Sequence, residues 1–253
     1  MSESDKMRNT ESSASSVDQM RMLGLVGGTS WSATVAYYSQ INQLVNEHFG
    51  DNTNPPLVVY NVNQSLVHGR QRAGDWEGVA DLFDNAAITL QAAGAEGVIF
   101  YVNTPHKIYD TVQAQLKAPI LHIADASAQA IRERGLSRVS FIGTKFSMTE
   151  DFIVSPLAQQ SVEVLPPEET TNIDALHRII QEELTFNRLE DSSKQFVLDE
   201  LNAMMARGAK GLVLGCTEFP LMITPEDLDV PVFDTAEIHA QAAVNFILRT
   251  EDE

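Results

Sequence analysis

The sequence predicts an α/β protein of two pseudo-symmetric lobes, each a roughly four-stranded parallel sheet flanked by helices, with the active site in the inter-lobe cleft. Three observations carry this. Short apolar runs of strand length alternate with amphipathic stretches, the pattern of parallel βαβ units. The length, 253 residues, suits one large domain or two lobes of about 100 residues each. Most informative, the chain repeats itself. "AAGAEGVIFYVNTPH" (92–106) returns as "ARGAKGLVLGCTEFP" (206–220), with Gly94 on Gly208, Gly97 on Gly211 and Val102 on Cys216. "LGLVGGTSW" (23–31) likewise returns as "RVSFIGTKF" (138–146), and "APILHIADA" (118–126) as "VPVFDTAEIHA" (230–240).

Taken in order, residues 1–21, rich in Ser, Asp and Glu, read as a disordered tail with no apolar signal segment. A first strand then runs into Gly27-Gly28-Thr29-Ser30, and a second ends at Asn61 to Gln64. Asp75 is a fitting N-cap for a helix whose Val79, Leu82, Phe83, Ala86 and Leu90 share one face, with Gly94 past its end. The next strand ends at Asn103-Thr104. In the second half, strands end at Gly143-Thr144-Lys145 and at Cys216-Thr217, and "SSKQFVLDELNAMMARG" is a helix closing on Gly208. The expected division is lobe 1 over 22–117 plus 225–253 and lobe 2 over 118–224. Ligands of open α/β sheets bind at the carboxyl ends of strands, so five polar strand ends in a duplicated fold mark a site.

Composition removes several classes of function. With 35 acidic against 17 basic residues and a net charge of −18, the chain lacks the basic footprint that nucleic acid requires. No apolar run reaches the roughly 18 residues of a membrane span. "GLVGGTS" matches neither GxGxxG nor GxxxxGK[ST]. One cysteine rules out an internal disulfide framework and a Cys-rich zinc site, and suits a reducing, cytoplasmic setting. That cysteine, Cys216, closes an apolar run just before Thr217, Glu218 and Pro220. A helix is expected to begin there, and its N-terminal N–H groups would favour thiolate.

Together "GLVLGCTEFPLMI", "NTPH", "GLVGGTSWSATVAYYSQIN" and "PVFDTAEIHA" resemble the cofactor-independent aspartate/glutamate racemases over residues 22 to 248. The "SW" with "YYSQIN" resembles the broad-specificity amino-acid racemase subgroup. The resemblance implies an isomerase acting at Cα of a small amino-acid or dicarboxylate substrate, without pyridoxal phosphate or metal, and a homodimer. It also implies two thiols flanking the reacting carbon, one removing a proton and the other delivering one. Where that family commonly reads Cys-Asn-Thr this chain reads Val102-Asn103-Thr104, and valine can exchange no proton. The expected catalytic groups are therefore Cys216 and, as the nearest titratable neighbour on the other side, His106. Expected to bind substrate are Gly28, Thr29, Ser30, Asn63, Gln64, Asn103, Thr104, Thr217 and Glu218, with Lys145 as a candidate for a side-chain anion. Two other readings stand beside this one: a one-cysteine decarboxylase resembling those that act on malonates, and a racemase-derived ligand binder without turnover.

Overall fold

The computed structural model describes residues 17–250. The described chain divides into two compact units. The first comprises the residues through Tyr101, Ile108–Leu121, and those from Ala240 on; the second comprises Val102–Lys107 and His122–His239.

The first unit carries β1 (Leu23–Gly27), β2 (Leu57–Asn61), β3 (Gly97–Phe100) and β4 (Ile120–Leu121), all parallel in the order β2-β1-β3-β4. The inner strands β1 and β3 are buried along their whole length, as uniformly apolar runs between two helical layers must be. Around the sheet lie α1 (Trp31–Phe49), α2 (Gln64–Ala73), α3 (Trp76–Ala92) and α4 (Tyr109–Gln113). α3 forms for the local reasons visible in the sequence. The Gly78 N–H donates to Asp75 Oδ1 at 2.9 Å, Val79, Phe83, Ala86 and Leu90 are buried, and Gly94 follows at φ 103°. Phe83 meets Phe100 edge-on, with ring centroids 5.1 Å apart. Each such buried ring contributes about 1.5–3 kcal/mol from desolvation.

The second unit repeats the plan. β5 (Arg138–Gly143), β6 (Glu163–Leu165), β7 (Leu212–Gly215) and β8 (Val232–Asp234) are parallel in the order β6-β5-β7-β8. Its helices are α5 (Ile123–Glu133), α6 (Lys145–Thr149), α7 (Asp151–Gln159), α8 (Thr170–Glu182), α9 (Asp191–Ala206) and the start of α10 (Thr235–Leu248). The two strand orders are the same with four added to each number. The three repeats read from sequence pair β1 with β5, β3 with β7 and β4 with β8, and Gly94 and Gly208 share nearly the same positive φ, 103° and 104°.

The boundaries differ from the expected 22–117 plus 225–253 and 118–224. β4 pairs with β3, so residues 118–121 stay with the first sheet. β8 pairs with β7, so the chain from 225 to His239 stays with the second. Residues 102–107, expected in lobe 1, fall in the second unit. Strand pairing decides membership here, and it is not encoded in the strands' own composition. Of the expected tail over 1–21, residues 1–16 lie outside the described residues. The rest is ordered: the Arg21 N–H donates to the Ile247 carbonyl at 2.9 Å and its guanidinium lies 4.6 Å over the Phe246 ring.

Candidate active site

Gly143 and Gly215 are register partners at the carboxyl ends of β5 and β7. The chain therefore leaves these neighbouring strands side by side, through Thr144 and through Cys216. Gly215 has no room for a side chain, because a Cβ there would run into the Phe141 ring. Phe141 thus fills the core directly beneath the strand end that carries the cysteine.

Cys216 is a free thiol, 9% exposed, and forms part of the second unit's apolar cluster. Its S–H donates to Glu218 Oε2 at 2.8 Å, and the Thr217 hydroxyl donates to the same oxygen at 2.9 Å. The expectation of a thiolate stabilised by a helix N-terminus is overturned. Burial, then the Glu218 carboxylate as a charge and as hydrogen-bond acceptor, push the thiol well above its usual range, and the Glu218 and Thr217 N–H groups only partly oppose this. The reason is local: after Glu218 the chain makes only a 3₁₀ turn, Phe219–Leu221, too short to build a macrodipole. At rest the sulfur holds its proton, with a carboxylate in place to receive it.

Facing β7 within the same unit is the segment 102–107. Tyr101 turns away, as strand alternation predicts: it is buried and meets Tyr37 edge-on at 4.6 Å. One Asn103 N–H is committed to Thr235 Oγ1 at 2.9 Å, and the Thr235 hydroxyl donates to the Leu214 carbonyl on β7, also at 2.9 Å. Asn103 Oδ1 is buried with no hydrogen-bond donor among the described residues. Thr104 is the first residue of the 3₁₀ turn Thr104–Ile108. Its hydroxyl lies 3.3 Å from Thr144 Oγ1, which lies 3.1 Å from Ser147 Oγ. Asn103 and Thr104 are thereby brought to the strand ends that carry Leu214 and Thr144.

His106 is buried, and both ring nitrogens meet backbone. The Ile123 N–H donates to Nε2 at 3.2 Å, which leaves the ring proton on Nδ1 to bond the carbonyls of Val102 (3.1 Å) and Asn103 (3.2 Å). Burial first, then the neighbouring His122 and His239 rings, hold its pKa well below the ordinary histidine value. Lys145 forms an ion pair with Asp174 at 2.6 Å, so its charge is already matched. Lys107 is paired in the same way with Glu150 at 2.5 Å.

The first-unit residues of the expected site also sit at strand ends. Gly28 takes φ +93°, where a Cβ would strike the Val62 backbone, and its N–H donates to Thr34 Oγ1 at 2.9 Å. Thr29 is buried and Ser30 caps α1. Asn63 caps α2 through a 3.2 Å bond from the Leu66 N–H, and Gln64 is the first residue of that helix. Sequence reasoning missed Thr235, His122 and His239. Their signal was present in the repeated pair "LHIADA" and "FDTAEIHA", where His122 and Asp234 occupy equivalent positions: each accepts the N–H two residues on, from Ala124 at 3.1 Å and from Ala236 at 2.8 Å.

A family model described as Asp/Glu/Hydantoin racemase matches residues 26–243. A crystal structure of a candidate Asp/Glu racemase from Yersinia pestis is 38% identical, covers 90% of this chain and 100% of its own, and superposes with a TM-score of 0.87. An aspartate racemase homologue from Pyrococcus horikoshii is 36% identical, with 92% and 100% covered and a TM-score of 0.78. A broad-specificity amino-acid racemase of Bacillus subtilis is 18% identical over 230 residues, 90% of this chain and 98% of that one.

Proposed function

The chain belongs to the Asp/Glu/hydantoin racemase family, and from that premise we propose that it exchanges the Cα proton of a small amino acid, of the aspartate/glutamate type, through a single thiol and without pyridoxal phosphate. The observation that supports this reading most directly is the Cys216–Glu218 pair, in which a buried S–H points at a carboxylate oxygen 2.8 Å away. Glu218 takes the thiol proton, and the thiolate so formed removes the Cα proton; reversal returns a proton to the same face. Thr217, bonded to the same carboxylate oxygen, holds Glu218 in line with the sulfur.

The developing carbanion needs donors around its carboxylate. Thr104 and Thr144, whose hydroxyls lie 3.3 Å apart beside the strand end of Cys216, suit that task, and Asn103 keeps a second N–H and its Oδ1 for substrate. Gly28, Thr29, Ser30, Asn63 and Gln64 are proposed as further contacts. Lys145 is the weakest of the expected binders, because Asp174 already neutralises it. A neutral side chain is therefore accepted alongside an acidic one.

Position 102, the repeat equivalent of Cys216, offers hydrocarbon. Proton delivery there falls to water, so exchange is one-sided and net racemisation is slow. The test is to incubate each enantiomer of a panel of amino acids in D₂O and follow loss of the Cα–H signal by NMR. Fast exchange from one enantiomer with slow inversion is expected. Equal, rapid exchange from both sinks the one-thiol reading, and carbon dioxide release from malonates without amino-acid exchange replaces it with the decarboxylase.

A further inference from the structure

Three buried histidines of the second unit stand against one another: the ring centroid of His106 is 4.6 Å from that of His122 and 5.8 Å from that of His239. They come from three separate stretches of chain, the 3₁₀ turn 104–108, the cap of α5 and the body of α10. Each stands at or beside a point where the chain passes between units. His106 lies one residue before Lys107 gives way to Ile108, His122 directly follows Leu121, and His239 directly precedes Ala240. The sequence singles out only the first of them, as a proton carrier. Its bonding is unsuited to that work, since Nδ1 and Nε2 both meet backbone.

We propose that His106 is a positioning residue: its ring, fixed as the Nδ1–H tautomer and walled by His122 and His239, fastens the carbonyls of Val102 and Asn103 to the start of α5 and so sets Val102, Asn103 and Thr104 against the strand ends bearing Thr144 and Cys216. This rests on the reading of Cys216 given above. Each link is visible. Nδ1–H holds residues 102 and 103 from one edge of the ring, and the Ile123 N–H holds the opposite edge. His122 Nδ1 accepts from the Ala124 N–H, so that ring is itself fixed to α5. Asn103 then reaches Thr235, and Thr104 reaches Thr144.

The arrangement works only while His106 is neutral. A second proton would sit on Nε2, donor against donor with the Ile123 N–H, and free the far edge of the ring. The groups that face it are His122 from α5 and His239 from α10. On its own segment stands Lys107, paired with Glu150; on α5 stands Asp125, held by Gln160; and α10 begins beside Asp234 and Glu237. Burial, then the His122 and His239 rings, hold its pKa well below the ordinary histidine value, which favours the neutral form.

Two experiments test this. In the ¹⁵N-labelled wild-type protein, long-range proton–nitrogen NMR should show one imidazole in the Nδ1–H form that does not titrate in the usual histidine range near 6.5. The same signal should vanish in His106→Asn. This arm needs no substrate, so it stands apart from the racemase reading. A His106 ring in the Nε2–H form, or one titrating near 6.5, overturns the proposal. In the exchange assay, His106→Gln, whose amide reaches only the Nε2 position, should lose about 100-fold in kcat, the order expected when a reacting group is displaced by about 1 Å. His106→Asn, which keeps a donor at the Nδ1 position, should lose about tenfold less. Equal losses in the two folded variants, or none in either, mean that the ring merely fills space.

Discussion

Replacing Glu218 by Gln keeps the shape of the side chain and removes its charge, and it separates two properties that a simple nucleophilic cysteine would lose together. In the wild-type protein the sulfur lies 2.8 Å from Glu218 Oε2. Taking about 4 Å between charge centres and an effective dielectric near 20, thiolate and carboxylate would repel by about 4 kcal/mol. The thiol therefore keeps its proton beside the carboxylate, and removal of that charge favours free thiolate. Glu218→Gln should accordingly react with iodoacetamide at lower pH than wild type, because one of the two influences that raise the thiol is gone and only burial remains. Catalysis should move the other way. Loss of a positioned proton acceptor lowers rate by about 10²–10⁴-fold, or roughly 3–5 kcal/mol of barrier. The assay pair is Cα–H exchange in D₂O and alkylation across pH 6 to 10, both on protein of unchanged circular dichroism. A variant that exchanges Cα–H as fast as wild type, or whose alkylation requires higher pH, refutes the assignment of Glu218 as the group that receives the thiol proton.

Three further outcomes follow from the same geometry. Val102→Cys should restore an acid/base group at the repeat equivalent of Cys216, raising net racemisation and evening out exchange from the two enantiomers; a purely additive gain in unrelated proton exchange would count against it. Gly215→Ala drives a Cβ into the Phe141 ring, so it should cost about 1–3 kcal/mol and lower Tm by several degrees, read by calorimetry. Stability should also fall at both ends of the pH scale. His106 binds a proton more readily unfolded than folded, so its contribution is complete above the unfolded value near 6.5 and drains away as pH falls toward the depressed folded value, at about 1.4 kcal/mol per unit. Cys216 has the opposite sign: its contribution is complete below the unfolded thiol value and is lost as pH rises toward the elevated folded one. Urea melts from pH 5 to 10 measure both limbs, and Cys216→Ser should remove the alkaline one.

Much of the architecture was legible in the residues alone. Asp75 as a cap, Gly94 and Gly208 at helix ends and the four-plus-four strand plan rest on local rules of periodicity, capping and backbone conformation, which a sequence carries in full. The repeat also placed Cys216 and Thr144 at strand ends, and register made them neighbours. What tertiary structure alone decided was the state of each group. The same Cys-Thr-Glu string could have opened a helix and lowered the thiol; only a three-residue 3₁₀ turn follows, and burial and the Glu218 carboxylate raise the thiol instead. His106, expected as a proton carrier by proximity in sequence, has both ring nitrogens on backbone because Ile123, seventeen residues on, meets the second. Strand edges, burial and hydrogen-bond partners arise between segments far apart in the chain, and protonation follows from them. Residue type states which chemistry is available, and the folded surroundings determine which form of it is present.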